Sequence, residues 1–251
     1  MTKIILSGCL GRMGSAITEI VENIAGAEIV CGFDVTDGGR CYPVYKSYAD
    51  AKEDADVIID FSHPSNFENI LNFAKAKNLP IIMCTTGLTA EQKAELKAAA
   101  DEIPVFLSAN MSLGINLLIR LAKMATKVLE KDFDIEIVEK HHNKKLDAPS
   151  GTALAIADAI ADTMSADANF VYERQSVRRH REKNEIGIHA IRGGTIVGDH
   201  DVLFAGPDEV ITLSHSAASR EVFAQGAVKA AMFMNGKPKG FYCMDDLFGD
   251  L

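Results

Sequence analysis

Two histidines, three lysines and two carboxylates fall within fourteen residues, Glu139-Lys-His-His-Asn-Lys-Lys-Leu-Asp-Ala-Pro-Ser-Gly-Thr152, and no other stretch is so dense in groups that move protons. Histidine titrates near pH ~6.5, so His141 and His142 suit general acid–base work, with Lys145 as a cation or a further proton donor. Upstream, Phe133-Asp-Ile-Glu-Ile-Val-Glu-Lys140 alternates apolar and charged residues with the period of a half-buried strand, which delivers both histidines at its end. Downstream, Pro149 presets the backbone for a helix start, Ser150 or Thr152 can cap it, and Gly151 lets the chain approach a ligand, before a helix-forming run from Ala153 to Met164. Unpaired N–H groups at a helix start attract an anion, so the stretch reads as a clamp and proton source for an acidic small molecule. A basic, solvated strand-to-helix loop has the same composition, and only the rest of the chain separates the two.

The N-terminal half supplies a second signal. Lys3 to Ser7 is a short apolar run, followed by Gly8-Cys-Leu-Gly11-Arg-Met-Gly14 and a helical stretch from about Met13 to Ile24. Strand, glycine turn and helix are the context of a dinucleotide fingerprint, although the spacing here is Gly-x-x-Gly-x-x-Gly rather than Gly-x-Gly-x-x-Gly. Gly8 serves the sharp turn, Gly11 the approach of a pyrophosphate and Gly14 the packing of helix on strand, and Arg12 adds a positive charge. A second strand, Ala27 to Phe33, ends in Asp34, twenty residues after Gly14. Such folds set a carboxylate there against ribose hydroxyls, though an Asp also serves as an ordinary strand-end turn residue. No basic residue follows before Arg40, so Asp34 is expected to repel a 2′-phosphate and NADH to be at least as acceptable as NADPH.

Strands at Val57 to Asp60, Pro80 to Met83 and Val105 to Leu107 alternate with helices after Pro64 and from Thr89 to Ala100, which predicts a parallel, doubly wound sheet with ligands at its carboxyl edge. Phe61-Ser62-His63, Cys84-Thr85-Thr86-Gly87 and Ser108-Ala109-Asn110-Met111 fall on that rim. Cys84 reads as an inert small side chain rather than a nucleophile. Beyond a helix from Ile115 to Leu129, strands at 133–140, 186–192, 195–205 and 209–216 are interrupted by a single helix, after which Arg220 to Met234 returns to helix. The expected fold is α/β: an N-terminal Rossmann-type parallel sheet over 1–112, completed by 218–251, and a second α+β domain with a mixed or antiparallel sheet over 113–217.

The 251 residues are 47% hydrophobic and carry a net charge of −9, which argues for a soluble protein with small-molecule partners and against nucleic acid. Arg174, Arg178, Arg179, Arg181 and Lys183 are a local exception, an anion collector or a solvated loop. Five cysteines without a Cys-x-x-Cys pair read as free thiols of the cytoplasm; the apolar run at Ile4 to Leu6 is too short for a signal peptide, so none is expected, and no apolar stretch approaches membrane length. No metal site is expected, because adjacent strand residues His141 and His142 point to opposite faces.

Gly8-x-x-Gly-Arg-Met-Gly14 together with Glu139-x-His-His-x-x-Lys-x-Asp-Ala-Pro-Ser-Gly-Thr-Ala153 resembles the 4-hydroxy-tetrahydrodipicolinate (dihydrodipicolinate) reductase family of lysine and diaminopimelate biosynthesis. Ser108-Ala-Asn-Met-Ser, Cys84-Thr-Thr-Gly and Ile188-His-Ala-Ile-Arg-Gly-Gly194 extend the likeness over nearly the whole chain. The resemblance implies reduction of a cyclic imine dicarboxylate to tetrahydrodipicolinate by NADH or NADPH, with hydride at C4 of the ring and a proton at the neighbouring carbon. It implies His141 as the acid, Lys145 assisting, His142 as a substrate contact, and Gly151 and Thr152 on a substrate carboxylate. It further implies cofactor contacts from Gly8, Cys9, Leu10, Gly11, Arg12, Met13, Asp34, Cys84, Thr85, Thr86, Ser108, Ala109, Asn110 and Met111, and a homotetramer built through the second domain. The chain departs from the family pattern in having Cys84-Thr-Thr for Gly-Thr-Thr and Gly8-Cys-Leu-Gly11 for Gly-Ala-x-Gly, and a bulkier Cys84 would alter cofactor affinity. Two other readings compete: a semialdehyde dehydrogenase, which needs a reactive cysteine near the second domain where only Cys243 lies beyond Cys84, and a dinucleotide sensor, which has no need of the His141 to Thr152 cluster.

Overall fold

The computed structural model describes residues 1–249. β1 (Thr2–Ser7) runs into the glycine turn and α1 (Arg12–Glu22), followed by β2 (Ala27–Phe33) and the two-residue β3 (Val44–Tyr45). Next come β4 (Val57–Asp60), α2 (Phe67–Lys77), β5 (Ile81–Met83), α3 (Ala90–Ala98) and β6 (Pro104–Leu107). Then follow α4 (Leu113–Leu129), β7 (Asp134–His141), α5 (Gly151–Ala161), β8 (Asn169–Val171), β9 (Glu185–Arg192), β10 (Gly198–Ala205) and β11 (Val210–Ala217). The described chain closes with α6 (Glu221–Met234), β12 (Gly240–Tyr242) and a short 3₁₀ turn. Residues 1–111 and those from 221 onward form one compact unit, and 112–220 a second.

In the first unit seven strands lie in the order β12-β6-β5-β4-β1-β2-β3, every neighbour parallel. β4 and β5 are buried along their whole length, which is why they read as unbroken apolar runs rather than alternating ones. Local chemistry sets the helix ends: Thr89 and Gln92 close a capping box at the start of α3, and Asn78 ends α2 in the left-handed region at φ 52°. All-parallel pairing brings the carboxyl ends of β1, β2, β4, β5 and β6 to one edge.

The second unit holds the order β11-β10-β7-β9-β8, with β10 antiparallel to both neighbours and β7, β9 and β8 mutually parallel, the mixed sheet expected. β7 alternates strictly, so Ile135, Ile137, Glu139 and His141 share its buried face. Ile135 and Ile137 pack with Leu118 and Ala122 of α4 and Ile156 and Ile160 of α5. Each such buried aliphatic side chain contributes about 1.5–3 kcal/mol, so this layer fixes the register that carries Glu139 and His141.

Three short strands, β3, β8 and β12, were not expected, because two or three residues show no periodicity of their own. The basic segment is an exposed loop, as one of the two readings has it, but several of its cations are engaged in ion pairs. Arg174 pairs with Glu136 at 2.7 Å and Glu185 at 2.5 Å, Arg179 with Glu182 at 2.5 Å, and Arg181 with Asp134 at 3.0 Å and Glu136 at 3.1 Å. Asp134 and Glu136 project from β7 opposite to Ile135 and Ile137, so these ion pairs strap the segment to the sheet's other face. Among the described residues, no helix is long and apolar enough to cross a membrane.

Candidate active site

The period of β7 puts Glu139 and His141 side by side, and the pair forms the polar end of the core layer. The imidazole Nδ1–H of His141 donates to Glu139 Oε2 at 2.6 Å. Glu139, fully buried, also accepts from Arg192 Nη1 at 2.8 Å and Nη2 at 2.7 Å, a two-pronged fork from the end of β9, and from the Ser150 N–H at 3.0 Å. Burial alone would raise the Glu139 carboxyl, but these donors, Arg192 foremost, hold it below the usual carboxylate range. An ionised Glu139 assigns the His141 proton to Nδ1, leaving Nε2 as the nitrogen not engaged by the carboxylate. A Cβ at residue 198 would stand 3.1 Å from that Nε2, so Gly198 on β10 keeps space beside it.

His200, paired with Glu139 across β10 and β7, packs its ring edge-on to His141 with centroids 5.3 Å apart. It is 3% exposed, and burial, reinforced by His141, pushes its pKa down to about 4. His200 is therefore neutral at neutral pH, and its Nε2 shares a hydrogen bond with Ser150 Oγ at 3.2 Å. Ser150, not Thr152, caps α5: its Oγ accepts from the Ala153 N–H at 3.1 Å. The helix start predicted as an anion site is thus tied through Ser150 to both Glu139 and His200. Gly151 begins the helix with nothing within 4 Å of where its Cβ would be, and Thr152 follows half-buried. His142 is half-buried just past β7, and Lys145 reaches Asp147 at 2.9 Å while its N–H donates to the His142 carbonyl at 3.1 Å.

In the first unit, Gly8 takes φ +76°, and a Cβ there would stand 2.6 Å from the Phe61 carbonyl oxygen; one at Gly14 would stand 2.5 Å from that of Cys9. The turn is closed to side chains but open along its outer side, where a cavity of about 440 Å³ is lined by Gly8, Gly11, Asp34, Lys46, Ser62 and His63. Asp34 fits the ribose role: Oδ2 accepts from the Leu10 N–H and Oδ1 from its own neighbour Val35, both at 2.8 Å, fixing the carboxylate against the glycine turn. α1 has Gly11 as its N-cap with no side-chain bond to the helix start, an arrangement that suits the pyrophosphate of a dinucleotide at Arg12 and Met13. The residues present therefore fit a dinucleotide.

Other predicted contacts are arranged along the same edge with different exposure. Cys9, Thr85 and Met111 are buried. The Cys9 thiol packs into the core against Gly32, and the Thr85 hydroxyl donates to buried Asp60 at 2.6 Å, so Thr85 braces the rim from beneath. Cys84, Ser108 and Asn110 are half-buried, whereas Thr86 and Ala109 are exposed. Burial, then Asp60, raises the Cys84 thiol well above its ordinary value, as an inert thiol requires. Sequence alone missed Arg192, His200, Asp60 and Lys46. Glu139 was open to discovery from its spacing of two from His141; the others depend on strand pairing.

A parallel sheet with a glycine turn and a fixed carboxylate at its ligand edge, joined in one chain to a mixed sheet holding a buried carboxylate–histidine pair, defines a nicotinamide-dependent oxidoreductase. Residues 2–111 match the family profile described as Dihydrodipicolinate reductase, N-terminus, and residues 114–248 that described as Dihydrodipicolinate reductase, C-terminus. The chain is 52% identical over 247 residues to the 4-hydroxy-tetrahydrodipicolinate reductase of Caldanaerobacter subterraneus and 49% identical over 248 residues to that of Clostridium novyi, covering 98% of each protein in both cases. Among solved structures, the dipicolinate-bound dihydrodipicolinate reductase from Paenisporosarcina shares its fold, with a TM-score of 0.82 at 24% identity over 97% of both chains. The chain belongs to the dihydrodipicolinate reductase family.

Proposed function

We propose that the chain reduces 4-hydroxy-tetrahydrodipicolinate, by way of dihydrodipicolinate, to tetrahydrodipicolinate in diaminopimelate and lysine biosynthesis. NADH or NADPH, when bound, supplies the hydride taken at C4 of the ring. His141 gives a proton from Nε2 to the neighbouring carbon, while Glu139 holds Nδ1 and stabilises the protonated ring. Lys145 assists as a cation or second donor. His142, the Gly151 N–H and Thr152 hold a substrate carboxylate at the start of α5, and the small cyclic dicarboxylate named with the Paenisporosarcina relative supports that class of substrate. Asp34 orients the cofactor's adenosine ribose, and the family likeness extends to a homotetramer, which sedimentation equilibrium tests.

The observation that carries this reading is the bond of 2.6 Å from His141 to a carboxylate which also holds the Ser150 N–H at the helix start. One carboxylate thereby sets both the proton donor and the anion clamp. The test is cofactor oxidation with freshly made precursor, comparing the parent with His141→Gln. Turnover is expected to fall about 10²–10⁴-fold with little change in cofactor affinity. Equal turnover by the two proteins removes His141 from the role of acid, and no precursor-dependent oxidation by the parent removes the reaction.

A further inference from the structure

Asp34 has no basic residue near it along the chain, yet the fold sets one beside it. β3 pairs in parallel with β2, matching Gly32 with Val44 and Phe33 with Tyr45, and the Asp34 N–H donates to the Tyr45 carbonyl at 3.1 Å. Lys46 therefore leaves β3 level with Asp34 leaving β2, and it lines the same cavity as Gly8, Gly11 and Asp34. Its ammonium lies 3.3 Å from Asp37, the two side chains 56% and 72% exposed. Arg40, the first base after Asp34 in sequence, is otherwise engaged: its guanidinium donates to the Cys9 carbonyl, at 2.6 Å from Nη2, and to Ser15 Oγ at 2.6 Å, and so buttresses the glycine turn.

We propose that Lys46 admits the 2′-phosphorylated dinucleotide, NADPH, to this cavity, and that Asp37 sets the preference between the two cofactors by holding the ammonium away. The proposal rests on the nucleotide reading of the cavity. A ribose 2′-hydroxyl donates to the fixed Asp34 carboxylate, whereas a 2′-phosphate is repelled by it unless a cation is at hand. Lys46 is that cation, and its flexible four-carbon stem can exchange one anion for another. An ion pair as exposed as Lys46 with Asp37 holds the ammonium only weakly, while a phosphate in the cavity offers more charge and more acceptors. NADH leaves the pair intact and NADPH opens it. Competition by Asp37 thus lowers NADPH affinity without touching that for NADH.

Titration of the reduced nicotinamide fluorescence with the parent, Lys46→Gln and Asp37→Asn reads binding without turnover. Lys46→Gln is expected to weaken NADPH about 5–30-fold, and Asp37→Asn to tighten it about 2–5-fold, both leaving NADH within about twofold. Added salt should weaken NADPH more steeply than NADH in the parent, and that difference should shrink in Lys46→Gln. Equal weakening of both cofactors in Lys46→Gln, or no gain for NADPH in Asp37→Asn, overturns the assignment while leaving the nucleotide site in place. Failure of the parent to bind either cofactor overturns the nucleotide reading and this proposal with it.

Discussion

Replacing Glu139 by Gln removes one charge at nearly constant volume and tests the pair at the heart of the second unit. The carboxylate is fully buried and accepts from four donors: His141, two nitrogens of Arg192 and the Ser150 N–H. A glutamine brings one accepting oxygen and an NH₂, so at least one donor is left facing another. Removing one partner of a buried pair costs about 3–5 kcal/mol. Arg192 keeps the carbonyls of Ile191 and Asp147, each at 2.8 Å, and its side chain is 19% exposed, so a loss at the lower end, about 3 kcal/mol, is expected in chemical denaturation. Turnover should fall about 10²–10⁴-fold with cofactor binding unchanged, because the ring loses both the acceptor that fixes Nδ1–H and the charge that stabilises the imidazolium. The double variant Glu139→Gln/Arg192→Met removes the orphaned cation, so stability should largely return while turnover does not. The folded Glu139 pKa is depressed, so its stabilisation is complete above the unfolded carboxyl value of ~4.3 and disappears as pH falls through the lower folded value. The stability gap between parent and Glu139→Gln should therefore close in acid. Turnover of Glu139→Gln within about threefold of the parent would refute the pairing as part of the proton source, and recovery of turnover in the double variant would make the loss purely structural.

His200→Gln should flatten the stability profile between about pH 4 and ~6.5: the folded pKa is pushed down to about 4, so the unfolded chain binds the extra proton and the parent loses stability as pH falls through that window. Denaturation at the two ends of the window tests this, and an unchanged slope in the variant refutes it. Gly14→Ala drives a Cβ to 2.5 Å from the Cys9 carbonyl oxygen, backbone that cannot swing aside, and is expected to abolish cofactor binding in fluorescence titration at a cost of about 1–3 kcal/mol. Gly151→Ala meets nothing of the protein within 4 Å and should keep the fold and cofactor affinity, while its methyl group, set beside the N–H that meets the substrate carboxylate in the proposed site, should raise the KM for the dicarboxylate.

The parallel sheet was legible because a strand buried on both faces leaves an unbroken apolar run, as Val57-Ile-Ile-Asp60 and Ile81-Ile-Met83 do. β7 was legible for the opposite reason, one face buried and one charged. β11 is mostly exposed along its length yet was found as a strand, because alternation of residue types at Val210 to Ser216 does not depend on which face is covered. What the chain does not display is the two-residue β3, held only by its pairing with β2. That omission mattered chemically, since β3 is what brings Lys46 to Asp34.

The site divides along the same line. Residue types able to do the chemistry, His141, Lys145, Asp34 and the helix start at Ser150 and Gly151, were visible from local density and spacing. Their electrostatic state was not, because it is set by partners across the sheet. Arg192 reaches Glu139 from 53 residues away through the register that pairs His141 with Arg192. His200 has the same side chain as His141, but it is wedged among His141, Ser150 and β11 and is held neutral by burial, while His141 faces a carboxylate. The basic run from Arg174 to Lys183 shows the same limit: it is an exposed loop, but the charges of Arg174, Arg179, Arg181 and Lys183 are paired with Asp134, Glu136, Glu182 and Glu185, which the chain order does not display. Local spacing thus identifies where protons can move, and strand register decides which of those groups holds one.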